Sequence, residues 1–251
     1  MNAGITITFM GTNGWYDTEM GNTVSTLIDS RDFSIILDAG IGIYKLDRYI
    51  DYGKPAYLFL SHFHLDHIYG LHMLNKFRFE KGLCILGQNG TREILRTLVN
   101  EPFTAPMDTL PYRTTVMELP EKADALPFHA QALPLVHASH TLGLRLELNG
   151  KIISYCPDTG YCKNAVILSE KADVVIAECA YRPGEYNNDW PHLNPETAAA
   201  IARDAGARML YLFHFDASRY TDRESRIMAE KTAQALFPAT TATFDGLTVT
   251  L

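Results

Sequence analysis

The chain has 251 residues, of which 47% are hydrophobic, enough for a substantial buried core. It carries 22 Lys and Arg against 29 Asp and Glu, and the net charge of -7 opposes binding to nucleic acid through bulk electrostatics. The start of the chain has no signal-like segment, and no apolar stretch approaches the roughly 18 residues of a membrane span. We therefore expect a cytoplasmic protein without membrane contact.

Short β-branched runs separated by Gly, Asn and Asp predict strands in both halves of the chain. In chain order the predicted strands are 5–9, 24–28, 33–37, 57–60, 84–87, 114–119, 132–136, 144–148, 151–155, 173–177 and 209–213. The pair Asn149-Gly150 predicts a hairpin between two of them. Helical patterns occur at 66–77, 90–100, 195–205 and 222–236. The pattern alone predicts a mixed α and β fold, and the lack of a linker-like stretch favours one domain, 1–251.

The four cysteines contain no C-x-x-C pair. They are Cys84, Cys156, Cys162 and Cys179. This low content and spacing favour free thiols over a disulfide framework or a thiolate zinc site.

Residues 59–70, FLSHFHLDHIYG, place three histidines and an aspartate within six positions, directly after an apolar run. If that run is a strand, His62, His64, Asp66 and His67 lie on the loop after it and on the first turn of the next helix. Imidazole and carboxylate groups together suit Zn, Mn or Fe. Because the adjacent Asp66 and His67 cannot easily aim at the same point as His62 and His64, the segment favours two metal ions.

Each ion then needs further ligands from elsewhere in the chain. His137 follows the predicted strand 132–136, His214 follows 209–213, and Asp158 also follows a strand. These positions deliver side chains to strand ends, where clefts form. His72 and His129 lie at positions typical of packed or solvated histidines.

The order of H-x-H-x-D-H, a later histidine, an aspartate in a D-T-G turn and a final histidine resembles the metallo-β-lactamase superfamily. The segments FMGTNG (9–14) and LDAGIG (37–42) resemble the branch that contains ribonuclease Z and related phosphodiesterases. The resemblance implies a four-layer αββα sandwich of class α/β, with metals at one edge of two facing sheets. It also implies a metal histidine six residues before a glycine, which His137 and Gly143 match, with His140 as the alternative.

The same resemblance implies a role for each candidate residue. One ion is bound by His62, His64 and His137, the other by Asp66, His67 and His214, and Asp158 bridges them. Asp66 and His192 are the expected catalytic residues, and Asp38 and Thr159 are expected to orient ligands through hydrogen bonds. The ions are expected to be zinc, with manganese or iron as alternatives, and to hold a shared water as hydroxide near neutral pH.

The expected function is that of a metal-dependent hydrolase, specifically a phosphodiesterase acting on a small phosphodiester or nucleotide through a metal-bridging hydroxide. The long gap between His67 and His137 resembles the phosphodiesterase branch. Between Gly143 and Asp158 there is only a short hairpin, where transfer-RNA processing members carry a long arm, so dedicated transfer-RNA binding is not expected. Two alternative functions stay open: an ester, thioester or lactone hydrolase, and a non-catalytic relative that binds a metal or ligand. A homodimer also stays open.

The aromatic residues of two loops are candidates for stacking on a base or an aromatic leaving group. One loop is Gly14 to Tyr16, and the other is the proline-bearing segment near Phe103. Ordinary aromatic packing is the alternative for both.

Overall fold

The protein is described by a computed structural model of residues 4–251, in which two large β-sheets face each other. The strands are β1 (Thr6–Gly11), β2 (Asn13–Gly14), β3 (Ser25–Asp29), β4 (Ser34–Leu37), β5 (Ala56–Phe59), β6 (Leu83–Gln88), β7 (Thr114–Leu119), β8 (His129–Pro134), β9 (Leu142–Leu148), β10 (Lys151–Cys156), β11 (Val174–Glu178), β12 (Leu210–Phe213), β13 (Phe215–Asp216), β14 (Thr240–Ala242) and β15 (Thr248–Thr250). The helices are α1 (Leu65–Ile68), α2 (Thr91–Leu98), α3 (Lys163–Leu168), α4 (Pro195–Asp204) and α5 (Arg223–Gln234), with 3-10 turns at Ile41–Arg48, Tyr69–Lys76, Met107–Thr109 and Ala123–Ala125.

Both large sheets are mixed. The seven-stranded sheet has the order β15-β1-β3-β4-β5-β6-β7, and the six-stranded sheet has the order β14-β12-β11-β10-β9-β8. In the second sheet β8, β10, β11 and β12 run in the same direction, because β9 pairs antiparallel with both β8 and β10. Their carboxyl ends therefore meet at one edge. A two-stranded ribbon of β2 and β13 joins the halves.

The buried apolar side chains form three layers, because successive side chains of a strand point to opposite faces of its sheet. Ile35 and Leu37 of β4 pack in the core between the two sheets, whereas Ile36 packs with the helices outside the first sheet. On the far side, α3, α4 and α5 cover the second sheet. The αββα sandwich predicted from the resemblance is confirmed.

The predicted elements differ from the structure at several places. The strand predicted at 132–136 is β8, which pairs with β9 from His129 to Pro134. Its first three residues, 129–131, are His, Ala and Gln and precede the apolar run, so the sequence pattern places the start of this strand too late. The helix predicted at 66–77 is α1 followed by a 3-10 turn, in which Gly70 packs against the backbone of Gly40. Helix α3 and strands β2, β13, β14 and β15 are too short to give a periodic pattern.

The hairpin prediction is confirmed. Asn149 and Gly150 take the positive φ values of 50° and 75° that a tight turn requires, and β9 pairs with β10 from Leu148 and Lys151 onward. The four cysteines are free thiols, as predicted. None of the helices that the structure describes has the length and apolar character needed to cross a membrane.

Candidate metal centre

The histidine-rich segment leaves the carboxyl end of β5 and enters α1. His62 is fully buried, whereas His64 precedes the helix with an extended backbone, and Asp66 and His67 lie in the first turn. The rings of His62 and His64 are 4.5 Å apart between centroids, and those of His62 and His67 are 4.2 Å apart. The segment thus gathers its polar side chains at one end of the first sheet.

The second sheet supplies the remaining candidates from the carboxyl ends of three strands. His137 follows β8, Asp158 follows β10 and His214 follows β12. Asp158 and His214 are buried, and His137 is half-buried. Because these strands are parallel to one another, their ends bring distant parts of the chain to the same edge.

The candidate residues form two groups, and within each group the donor atoms lie within 4.8 Å of one another. One group contains His62, His64, His137 and Asp158, and the other contains Asp66, His67 and His214. Asp158 joins the groups, because one carboxylate oxygen lies 3.7 Å from Nε2 of His62 while the other lies 3.0 Å from Nε2 of His67. Nε2 of His214 lies 3.1 Å from the same oxygen as His67.

The donor atoms fit divalent transition-metal ions. Nε2 of His62, Nε2 of His67 and Oδ1 of Asp158 are buried without a hydrogen-bond partner among the described residues. Unpaired buried polar atoms are rare, since each costs roughly 1 to 3 kcal/mol. Their convergence with other imidazole and carboxylate donors matches what zinc and related ions bind.

The protonation of the first group also suits a metal. Burial lowers the pKa of His62 well below its ordinary value, and burial lowers the pKa of His64 and His137 as well. Burial by itself raises the pKa of Asp158, but the charges of His214 and His67 hold that pKa well below its usual range. Neutral imidazoles and an ionised carboxylate are the forms that ligate metal.

In the second group the pKa values of the histidines are raised instead of lowered. Burial by itself lowers the pKa of His67 and His214, yet the neighbouring carboxylates, chiefly Asp158 and Asp66, together outweigh burial and raise both pKa values. The raised pKa values favour the protonated imidazoles beside these two carboxylates. A divalent cation takes the place of those protons, because ligating histidines must be neutral.

Asp38 binds His67 through Nδ1, the ring nitrogen that points away from the centre. One of its oxygens accepts hydrogen bonds from Nδ1 of His67 at 2.8 Å, from the hydroxyl of Ser61 at 2.8 Å and from the hydroxyl of Tyr155 at 2.7 Å. The other oxygen accepts from the Ser61 backbone N–H at 2.7 Å. Asp38 thus fixes the ring so that Nε2 faces the centre, as predicted.

Glu178 is a second buried carboxylate that orients a histidine of the site, and the sequence analysis did not identify it. It ends β11, and its Oε1 lies 2.6 Å from Nδ1 of His192 and accepts from the Thr159 backbone N–H at 2.9 Å. Burial lowers the pKa of His192, but the Glu178 carboxylate reverses this and raises it to about 9. The sequence feature that could have identified Glu178 is an acidic residue directly after an apolar run.

The loop after β2 contacts Asp66, a member of the second group. The backbone N–H of Trp15 donates to Oδ2 of Asp66 at 2.8 Å, and Nε2 of His214 lies 3.2 Å from that same oxygen. Trp15, Asp38 and His214 have φ values of 74°, 57° and 52°, in the left-handed region, which Asp and His adopt more readily than a residue as large as Trp. Such strain persists where surrounding contacts impose it, and it is common at functional sites.

The other expectations have mixed outcomes. His140 and His72 are exposed, His129 is exposed beside Glu147, and none of the three belongs to the groups described above. Thr159 was expected to orient a ligand side chain. Instead its hydroxyl accepts from the Val136 backbone N–H and donates to the Gly160 carbonyl, and it thereby links the loop after β8 to the loop after β10.

A cleft of about 690 Å³ opens onto the centre. It is lined by Gly14, Trp15, His64, Leu65, Asp66, Asp158, Ala180, Tyr181, Asn187, Trp190, His192, His214, Asp216 and Arg219. His192 therefore faces the cleft beside the two groups, and with Asp158 and His214 it forms a further close set of donors. Phe103 is not among the described residues that line the cleft.

Residues 34–215 match the family model of the beta-lactamase superfamily domain, and the chain belongs to that superfamily. Within it the chain is a ribonuclease Z-like hydrolase of the metallo-β-lactamase fold. Ribonuclease BN of Cronobacter sakazakii is 28% identical, and the match covers 98% of this chain and 99% of that protein. The probable metallo-hydrolase YhfI of Bacillus subtilis is 27% identical over 83% of this chain and 86% of its own length.

Solved structures show the same fold. The crystal structure of YhfI superposes with a TM-score of 0.83 at 24% identity, covering 99% of this chain and 100% of YhfI. The short form of human tRNase Z superposes with a TM-score of 0.75 at 21% identity, covering 97% of this chain and 98% of that chain. The family model and the relatives in sequence confirm the predicted superfamily and branch, and the His and Asp cluster suggests binding of divalent metal.

Proposed function

We propose that this protein is a dinuclear metal-dependent phosphodiesterase that acts on small phosphodiesters or nucleotides. The observation that carries the proposal is the sharing of Asp158 between two groups of metal-type donors, next to a histidine that faces the cleft. Paired divalent ions suit reactions at phosphorus, where charge builds on several oxygens at once.

The proposed ligands follow the two groups. His62, His64 and His137 would hold one ion, Asp66, His67 and His214 the other, and Asp158 both. We propose zinc, with manganese or iron as alternatives, because the donors are mostly imidazoles. When bound, two such ions supply the acidity that makes hydroxide available from water near pH 7 and the positive charge that stabilises the transition state.

We propose that His192 gives a proton to the leaving oxygen. Its Nδ1 proton is engaged by Glu178, which fixes the ring and leaves Nε2 as the nitrogen free to face substrate. The rings of His192 and His137 are 4.9 Å apart and those of His192 and His214 are 5.8 Å apart, so the donor stands beside both groups. Asp66, held by the Trp15 N–H, is proposed to accept a proton from the attacking water.

Three observations support a small substrate rather than transfer RNA. The β9–β10 connection is a two-residue turn, so no arm projects at that point. The match to Ribonuclease BN extends over 305 aligned positions, whereas this chain has 251 residues, so that relative carries extra segments. The net charge of -7 also opposes a long polyanion.

The test is hydrolysis of bis-p-nitrophenyl phosphate by the zinc- or manganese-loaded protein, beside panels of carboxylic esters, thioesters and lactones. We expect turnover of the phosphodiester. Replacing His137 by Ala should lower that turnover at least about 100-fold, because a metal ligand contributes several kcal/mol. His140→Ala is the matched control, since His140 is an exposed histidine three residues away. Turnover confined to carboxylic esters or lactones, or no turnover at all, would overturn the proposal.

A further inference from the structure

The chain contains two tryptophans, and both line the cleft beside the candidate metal centre. Trp15 is 66% exposed and Trp190 is 48% exposed. Single exposed aromatic residues are ordinary on protein surfaces, whereas apolar surface collected in a concave site marks a place where a ligand binds. The two indoles are therefore candidates for contact with substrate.

Trp15 is held beside the second group of donors. Its backbone N–H is engaged by Asp66, and its φ of 74° is unusual for so large a residue. The ring of Tyr16 supports the indole edge-on, with 5.1 Å between ring centroids and 69° between planes. The loop thus keeps a large aromatic surface exposed at the rim of the cleft, at a conformational cost.

Trp190 is held beside the first group. Its ring is nearly parallel to that of His64, at 7° with 5.8 Å between centroids, and meets the ring of His137 edge-on at 5.7 Å. The hydroxyl of Tyr181 donates to its carbonyl at 2.6 Å, which fixes the backbone. The two indoles consequently stand beside different groups of the centre.

The charges of the cleft limit what it can recognise. Arg219 is the only lysine or arginine among the described residues that line it. Its guanidinium is bound by Glu185 at 3.0 Å and by Asp216, and it lies over the ring of Tyr181. With this charge balanced, the cleft lacks the row of cations that a phosphate backbone requires.

We infer that the cleft binds the phosphodiester of a single nucleoside, with its base stacked on the indole of Trp15. This inference rests on the proposed phosphodiesterase function and names its substrate class. Trp190 bounds the side of the leaving group, since its ring lies 6.5 Å from that of His192, the proposed proton donor. Every nucleobase offers a face for stacking, and the volume of about 690 Å³ suits a small ligand.

The first test compares two esters with the same leaving group, the p-nitrophenyl esters of thymidine 5′-monophosphate and of methyl phosphate. The wild type should prefer the thymidine ester in kcat/KM, and Trp15→Ala should reduce that preference about tenfold, the effect of losing one stacked base. Phe103→Ala should retain the preference, because Phe103 is equally exposed, at 66%, but lies outside the cleft. Trp15→Gly should repeat the result of Trp15→Ala, since glycine accepts the positive φ without strain.

The second test measures binding without turnover. Because both tryptophans line the cleft, quenching of intrinsic fluorescence by thymidine 5′-monophosphate reports on this site alone. Trp190→Phe, which leaves Trp15 as the reporter, should show saturable quenching, and Trp15→Ala should bind the nucleotide about tenfold more weakly than wild type.

The outcomes separate the two proposals. If the metal-loaded protein hydrolyses neither ester, the proposed function fails. If it hydrolyses both esters with an equal kcat/KM, or if Trp15→Ala and Trp15→Gly leave the thymidine preference unchanged, the inference about Trp15 fails while the phosphodiesterase function stands.

Discussion

Gly14 lies directly against the ring of His214, so that a Cβ at position 14 would stand 2.5 Å from Cε1 of the imidazole. No side chain larger than hydrogen fits there without moving the ring. The neighbouring residue, Trp15, donates its backbone N–H to Asp66. The short β2 segment thus positions two of the three donors in the second group.

Gly14→Ala should displace His214 and weaken the second group. A shift of about 1 Å in a catalytic site costs up to about 100-fold in rate, so we expect phosphodiester hydrolysis to fall by 10- to 100-fold, roughly. Metal analysis should find about one ion per chain in place of two. Gly53→Ala, at an exposed glycine in a remote turn, serves as control, and unchanged metal content in Gly14→Ala would contradict the packing argument.

Arg226 links α5 to the same β2 segment. It is fully buried, and its guanidinium donates to the hydroxyl of Thr12 at 2.8 Å and to the side-chain oxygen of Asn13. Arg223, one turn earlier on α5, lies over the ring of Phe244 at 4.3 Å but is exposed. The two arginines therefore form a matched pair for replacement by lysine, one buried and one exposed.

Arg226→Lys should lower the free energy of unfolding by about 2 to 4 kcal/mol, because a lysine cannot reproduce the fork of donors and leaves buried acceptors unpaired. It should also reduce metal content, since Asn13 and Gly14 lose their anchor. Arg223→Lys should change stability by less than about 0.5 kcal/mol. Denaturant unfolding with parallel metal analysis checks both variants, and equal effects would refute a special role for Arg226.

Asp38→Asn should weaken metal binding about 10- to 100-fold, since His67 loses the carboxylate that fixes its orientation. Asparagine keeps the shape of the side chain and tolerates the positive φ at this position. Asp29→Asn is the control, because Asp29 ends β3, which pairs with the strand that Asp38 follows, and binds Lys54 instead of a candidate ligand. Competition with a metal chelator measures the affinity, and an unaltered value in Asp38→Asn would count against this role.

The thiols should differ in reactivity. Cys156 and Cys179 are buried, and burial raises the pKa of Cys156 to about 11 and raises that of Cys179 as well. Cys84 and Cys162 are half-buried. At pH 8 a thiol reagent should label at most these two in the native protein and all four after denaturation, as mass spectrometry of peptides would show. Rapid labelling of Cys156 would disprove the packing of α3 against the second sheet.

The sequence was sufficient to propose the centre because its donors follow readable features. The segment from His62 to His67 is local, and His137, Asp158 and His214 each follow an apolar run that forms a strand. Those side chains do come together in the structure. Their role as ligands stays a prediction.

Other parts of the site depend on contacts that leave no local pattern. Glu178 reaches His192 from a neighbouring strand, and Gly14 meets His214 through a ribbon of two-residue strands. The expected role of Thr159 was wrong because its hydroxyl links the backbones of two loops that are distant in the chain, which spacing alone does not reveal. Short elements likewise depend on tertiary contacts, because α3 packs against the second sheet and β14 pairs with β12 at the edge of that sheet.

The central claim is that two metal ions share Asp158. Anomalous diffraction from crystals of the zinc-loaded protein, collected at the zinc edge, tests it directly. The account predicts two peaks about 3.5 to 4 Å apart, one within bonding distance of His62, His64 and His137 and the other of Asp66, His67 and His214. A single peak, or peaks that leave Asp158 without a metal contact, would contradict it.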